Sequence, residues 1–346
     1  MMKKFLALIL ALAMALSLVA CGGEETPAGG EQAGGEGEKT YKVAMICDSS
    51  ISDGGWGMAC YNAMIDAAAR EGWETAYTDE IAQSEYYESI AAYCALGYDL
   101  IYAPGNQYTD AVLQAAEEYP DIAFALLNGG EGTPAQAVNK NVTSLLPNAQ
   151  QIGWIAGALA GLMTESGVLA FIGGMELDTT KGKYAGYVEA ANYVAEQEGK
   201  SVEVLPCVFA GSFNDADKGQ EFAKTMMSQG ADVFFGDASV VDTGARQAID
   251  AANAANGAVT VYDIAQPAES LGQNECIICS QVTDNSTMVQ VSMQAVANGT
   301  FGGEVIYGSM QNGALSAGKL SDLVPEDVQA KYLEYIEQMK ADTFMK

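Results

Sequence analysis

Histidine is absent from all 346 residues. With it go the Ser-His-Asp and Cys-His nucleophile systems, histidine-bearing zinc sites and the commonest general base near neutral pH. Carboxylate pairs remain, so enzymes are disfavoured on chemistry, and neither catalysis, a metal nor a cofactor is expected. Positive charge is scarce too: 16 Lys and Arg stand against 45 Asp and Glu, a formal net charge of −29. Such a surface repels phosphate, which argues against nucleic acid as a partner and nucleotides as ligands. It says little about a neutral molecule. Long apolar runs are lacking beyond the first twenty residues, so no later segment is expected to span a bilayer.

The one apolar run that exists sets the compartment. Lys3 and Lys4 precede a stretch from Phe5 to Ala20 broken only by Ser17. It is shorter than the roughly 20 residues of a spanning helix and stops at small residues, as a secretory signal does. The junction Leu18-Val19-Ala20-Cys21 resembles the bacterial lipobox, which implies removal of residues 1–20 and lipidation of Cys21. Residues 21–39 are rich in Gly, Glu, Pro and Gln and carry no aromatic or branched apolar side chain. They cannot bury enough surface to fold and read as a flexible tether. The expected location is the extracytoplasmic face of the cell membrane, held there by lipid.

Six cysteines remain after Cys21: Cys47, Cys60, Cys94, Cys207, Cys276 and Cys279. A chain of this size needs no disulfide staples. Cys47, Cys207 and Cys279 fall within apolar strand-like runs, which suits small buried hydrophobes. The Cys276-Ile-Ile-Cys279 spacing alone, without a second pair or a histidine, is a weak metal or redox signal.

From Tyr41 onward short apolar runs alternate with helical patterns. Strands are expected at Lys42–Cys47, Glu74–Thr78, Asp99–Ala103, Ile122–Leu127, Val168–Ile172, Val202–Val208, Asp232–Phe235, Val259–Tyr262 and Cys276–Val282. Helices are expected between them, among others over Gly57–Glu71, Asn148–Met163, Gly182–Gln197, Ala216–Gln229, Gly244–Asn253 and Asn285–Asn298, with a last helical stretch in Pro325–Lys346. Apolar strands flanked by helices imply α/β architecture with parallel sheets covered on both faces. Two stretches share one order: YDLIYAPGNQYTDAVLQAAEEYPDIAFALL from Tyr98 and ADVFFGDASVVDTGARQAIDAANAANGAVTVYD from Ala231. Each runs Asp, strand, Gly-bearing loop, helix, strand, so one βαβ unit serves two lobes. Ligands of such sheets lie at the strands' carboxyl ends, here in the cleft between lobes.

After the first strand comes Asp48-Ser-Ser-Ile-Ser-Asp53-Gly-Gly-Trp56-Gly57. Ser52 or Asp53 can cap the following helix, and Trp56 sits where a flat ring can serve as a stacking platform or close the loop as core. No Gly-Lys-Ser/Thr follows, so the glycines are not a phosphate loop. This run resembles the start of the basic membrane protein family of lipoproteins, which includes purine-nucleoside receptors feeding ABC importers. Further matches are Tyr119-Pro120-Asp121-Ile122-Ala123-Phe124, Gly153-Trp154-Ile155-Ala156-Gly157, Phe171-Ile172-Gly173-Gly174 and Gly211-Ser212-Phe213-Asn214-Asp215-Ala216-Asp217-Lys218-Gly219. The resemblance runs from Tyr41 to Gly318.

The resemblance implies two Rossmann-like lobes joined by a hinge, of the type I periplasmic-binding-protein kind: residues 41–145 with 283–305, and 146–282 with 306–346. It implies a base held between Trp56 and Phe213, with Asp48 and Asn128 at the base edge. Asp53 matches an acidic position, Asp263 a carboxylate that accepts from ribose hydroxyls, and Gly236, with Ser239 beside it, a loop glycine near the sugar. Tyr86 and Tyr87 stand near the cleft or on the surface. Stacking contributes roughly 1–3 kcal/mol per ring, so two rings supply about 2–6 of the ~8 kcal/mol of micromolar binding. The family's asparagine is replaced by Gly57 and its lysine after the last strand is missing, since no lysine falls between Lys224 and Lys319. The ligand is therefore expected to be a base, a modified nucleoside or another flat polar molecule.

The function expected is that of a monomeric substrate-binding protein that delivers a nucleoside-like small molecule to an ABC permease. A sensor that hands its closed form to a signalling receptor is the alternative, and a carboxylate-dependent surface hydrolase, for instance through Asp53 and Asp263, a more distant one.

Overall fold

The computed structural model describes residues 39–52 and 56–341. The expected signal segment, Cys21, the tether up to residue 38 and Asp53 lie outside the described residues. From Thr40 onward the chain forms one unit built around two sheets.

The first lobe begins with β1 (Lys42–Ile46), α1 (Trp56–Glu71), β2 (Glu74–Thr78), α2 (Tyr86–Ala95), β3 (Leu100–Ala103), α3 (Thr109–Glu118), β4 (Ala123–Leu127), the short α4 (Thr133–Gln136) and β5 (Val142–Pro147). The second continues with α5 (Ala149–Met163), β6 (Val168–Gly173), α6 (Asp178–Gln197), β7 (Glu203–Val204), β8 (Val208–Phe209), α7 (Ala216–Ser228), β9 (Val233–Asp237), α8 (Val240–Asn256), β10 (Tyr262–Ala265) and β11 (Ile277–Thr283). The chain then returns to the first lobe with α9 (Asn285–Ala297) and β12 (Val305–Gly308), and ends in the second with β13 (Leu315–Ala317) and α10 (Glu326–Lys340).

The first sheet has the order β12-β5-β4-β3-β1-β2 and is parallel throughout. The second runs β13-β11-β10-β9-β6-β7, with β8 also on β6 and β13 antiparallel to β11. Central strands such as Val43–Ile46 and Leu100–Ala103 are buried on both sides, which is why they read as unbroken apolar runs. Helix α1 buries Cys60, Ala63, Met64, Ala67 and Ala68, one stripe at helical spacing, and packs on α9. Helix α5 is buried almost all round. Its Gly153 and Gly157 let α6 approach so closely that an added Cβ would lie 2.0 Å from the Lys183 carbonyl and 2.4 Å from that of Tyr187.

Three passages join the lobes: after β5, after β11 and after β12. Each leaves from a strand's carboxyl end, so the carboxyl ends of both sheets face the crossing side. The passages also bond to one another, Asn148 N to the Gly308 carbonyl (2.8 Å) and Asp284 N to the Ala314 carbonyl (2.7 Å). The first sheet takes its sixth strand from Val305–Gly308, and the expected hand-over after residue 305 falls inside that strand.

Asn148 also caps α5, its side chain accepting from Gln151 N at 3.0 Å. Asn148→Ala is expected to cost about 1 kcal/mol, read as a lowered urea midpoint with an unchanged m-value.

One strand and one cysteine pair need comparison with the sequence pattern. The strand expected over Val259–Tyr262 forms at Tyr262–Ala265 instead, because Asn253 on α8 accepts from Thr260 N and Val261 N (3.0 Å each) and donates to the Val261 carbonyl. Cys276 and Cys279 stand on opposite faces of the sheet, in different core clusters, so they cannot share a metal. Burial pushes the Cys279 thiol up to about 12 and raises that of Cys276 as well, which keeps both protonated and inert.

Candidate ligand-binding site

In each sheet the strand order reverses at one place, and there the neighbouring loops part to leave a crevice. In the first sheet the reversal lies between β1 and β3, in the second between β6 and β9. Residues at these four carboxyl ends are Asp48, Pro104, Gly174 and Ala238.

On the first lobe Asp48 follows β1, with its carboxylate exposed. Oδ2 accepts from the Tyr86 hydroxyl and from Gln107 Nε2, both at 3.0 Å, and Asp48 N donates to the Tyr108 hydroxyl at 2.7 Å. Burial first, then the Asp48 carboxylate, pushes the Tyr86 hydroxyl up to about 12, so it stays a donor. Trp56 opens α1; its indole Nε1 donates to the Pro104 carbonyl at 3.0 Å, and the side chain is 37% exposed. Asp48 and Trp56 thus share the loop after β3. Asn128 ends β4 in a left-handed conformation (φ 58), its N–H bonded to the Leu145 carbonyl at 2.9 Å. Tyr86 turns to Asp48, whereas Tyr87 donates to Glu118 (2.7 Å) on the exposed surface.

On the second lobe Phe213 lies against Gly174. A Cβ there would sit 2.4 Å from the ring, so the residue must be glycine for the phenyl to rest on this strand end. The Gly174 carbonyl accepts from Gly211 N and Ser212 N, and the Phe213 carbonyl from Val240 N (3.0 Å). The Phe213 loop is therefore clamped between the end of β6 and the start of α8. Met175, Leu177 and Val240 are exposed beside it.

Gly236 and Asp263 are placed differently from what the resemblance implies. Gly236 is buried, and a Cβ on it would meet Asp242 Oδ1 at 2.0 Å; its carbonyl accepts from Gln266 Nε2. Asp263 lies within β10 rather than beyond it, because the strand begins three residues later than its apolar pattern suggests. Its carboxylate turns to α8, is 4% exposed as a residue, and pairs with Arg246 Nε at 2.7 Å. That carboxylate is committed to the interior. Ser239 is exposed at the start of α8 (φ 59).

The strand ends carry a different polar group. Asp237 closes β9, its Oδ1 accepting from Lys183 Nζ at 2.8 Å and its Oδ2 from Thr180 Oγ1 at 2.7 Å. Lys183 also donates to Gln266 Oε1 at 2.9 Å. Neither residue is among the sequence candidates: the strand is expected to stop at Phe235, two residues short of Asp237, and Lys183, on a helix 54 residues away, carries no local signal.

Asp242 lies beneath these loops, accepting from Ala238 N at 2.8 Å. Burial pushes its carboxyl up to about 7, against the lowering pull of Arg246. Between about pH 4, where such a group titrates when unfolded, and about pH 7 the folded form holds the extra proton. Stability from this residue is thus present in acid and lost as pH rises through that window. Asp242→Asn is expected to flatten the fall in melting temperature between pH 4 and pH 7.

Two parallel α/β lobes crossed three times, with aromatic and polar groups at both switch points, define a solute-binding-protein fold. The chain belongs to the Bmp family, ABC transporter substrate-binding protein PnrA-like, whose family model matches residues 40–342. It is 26% identical over 334 residues to the "ABC transporter nucleoside-binding protein BmpA" of Lactococcus lactis subsp. cremoris, covering 92% of each chain. It is 27% identical over 317 residues to an uncharacterized lipoprotein of Pyrococcus abyssi, covering 84% of this chain and 76% of that one. Among solved structures it resembles an ABC transporter solute-binding protein from Conexibacter woesei, with a TM-score of 0.69 at 23% identity over 89% of this chain and 98% of the other. Among the described residues no helix is long and apolar enough to cross a membrane, and no group of three or more Cys, Asp or Glu side chains is placed to hold a metal ion.

Proposed function

We propose that this substrate-binding protein is anchored by lipid at Cys21 on the extracytoplasmic face of the membrane and carries a flat, neutral, nucleoside-like molecule to an ABC permease. The observation that carries this reading is the pair of aromatic side chains at the two switch points: the partly exposed Trp56 pinned to Pro104, and Phe213 laid on Gly174. A planar guest between them gains stacking on both faces, and Asp48 offers a carboxylate to ring N–H or amino groups at its edge. The acidic chain disfavours phosphorylated forms, which points to nucleosides or bases over nucleotides. The Lactococcus relative's printed name, a nucleoside-binding protein, supports the same class. Guest binding across two sheets favours a closed arrangement of the lobes, the form presented to a permease.

The test is thermal unfolding against a panel of nucleosides, free bases and nucleotides, with native mass spectrometry of what copurifies. A ligand at a hundred times its Kd stabilises by about 2.7 kcal/mol, a shift easily read. Stabilisation by nucleosides and not by their monophosphates is expected; a protein indifferent to every member of the panel at millimolar concentration refutes the ligand class.

A further inference from the structure

We propose that Lys218 positions the Phe213 ring, its ammonium tying down the loop on which the aromatic platform of the second lobe stands. The inference rests on the ring pair proposed above and names what holds one of the two rings in place.

The loop runs from Ala210, just after β8, to the first turn of α7, with Phe213 near its middle. Its near end is fixed to the second sheet. Ala210 N donates to the Gly173 carbonyl at 2.9 Å, and Gly211 N and Ser212 N share the Gly174 carbonyl at 2.8 and 3.2 Å. Gly211 turns in the left-handed region (φ 72), where a side chain would be strained. Lys218 closes the far end. From the first turn of α7 its Nζ reaches back to the Ala210 carbonyl and donates to it at 2.7 Å, so that residues 210–218 become a closed ring carrying Phe213.

Helix stability does not account for this lysine. A helix's first turn is the positive end of its dipole and favours acids, so a cation there is unfavourable. Asp217 in that turn and Asp215 at the cap meet the preference. Asp215 takes the backbone N–H of Lys218 at 3.1 Å, while the ammonium goes to a neutral carbonyl. That carbonyl belongs to a residue only 3% exposed, and a buried carbonyl without a donor is costly. Without the ammonium it regains a partner only if the loop lifts to admit water. Phe213 then lifts as well from Gly174, where its ring fills the space a side chain would take. Lys218 is thus a positioning residue: it need not touch a guest, and its effect on binding passes through the ring.

Hydrogen exchange, and titration calorimetry with adenosine and guanosine, test this. In ligand-free Lys218→Met the amides of Gly211, Ser212 and Val240, all bonded to or within the loop, are expected to exchange about tenfold faster, with those of the first lobe unchanged. The same variant should bind the nucleosides about tenfold more weakly, and Lys218→Arg, which keeps a donor for Ala210, near the native level. In a Phe213→Ala background Lys218→Met should change affinity by less than about twofold, since the ring it acts through is gone; a merely structural loss would add in full. Lys218→Gln, whose amide reaches less far, carries the same tests should the methionine variant not fold. Unaltered exchange over the loop, full affinity in Lys218→Met, or a loss that persists in full without Phe213 overturns the proposal. Failure of the unaltered protein to bind either nucleoside overturns the nucleoside reading instead, and exchange then decides whether Lys218 holds the loop.

Discussion

Arg246→Met is expected to lower stability by about 3–5 kcal/mol near pH 8, because it strands a buried carboxylate without its partner. Asp263 is almost fully enclosed and pairs with Arg246 at 2.7 Å, and Asp242 lies in the same pocket. Attraction to Asp263 and Asp242 raises the guanidinium's pKa despite its burial, so it stays charged at every working pH. Without it both acids take up protons more readily. The deficit should therefore shrink as pH falls from 8 towards 5, the direction set by the raised pKa values of Asp242 and Asp263. Urea unfolding at the two pH values measures both effects; a deficit under 1 kcal/mol at pH 8, or one that grows in acid, contradicts this account.

The second large effect concerns the rings. Trp56→Ala and Phe213→Ala should each weaken binding of the best nucleoside at least tenfold, in keeping with roughly 1–3 kcal/mol for each stacked face. Stability should change little for Trp56, whose ring is already partly in water and held by a single bond to Pro104. Trp56→Phe keeps a platform but loses that pin, so it should fall between the native protein and the alanine variant. Titration calorimetry with paired melting curves separates lost contact from lost fold. Full affinity in both alanine variants excludes a sandwich between these residues.

Most of the architecture was legible because parallel strands buried on both faces must be apolar throughout, as Val43–Ile46 and Val233–Phe235 are. Two further strands lack that mark. Val142–Pro147 is interrupted by Thr143 and Ser144 and ends in proline, and Val305–Gly308 is an edge strand with an exposed Tyr307. The site was legible only in part. The loop carrying Trp56 and the run through Phe213 announce themselves by composition, but Asp263 falls at an expected strand end because Val259, Val261 and Tyr262 look like the strand itself. The Asn253 side chain, reaching across from α8, holds the backbone of Thr260 and Val261 away from the sheet. Lys183 is the clearest case of what local pattern cannot carry. A lysine on a helix reads as a solvated face, and its burial depends on Asp237 and Gln266, 54 and 83 residues further on.

The order in which the chain is laid down bears on how it matures. β12 completes the edge of the first sheet only when residue 308 is available, and α9, which shields α1, is made after the whole of β6 to β11. The second sheet in turn waits for β13, and its central helix α5 for the cover of α10. Neither half can be finished while the other is unmade: the first waits for α9 and β12, which follow β11, and the second for β13 and α10, which follow β12.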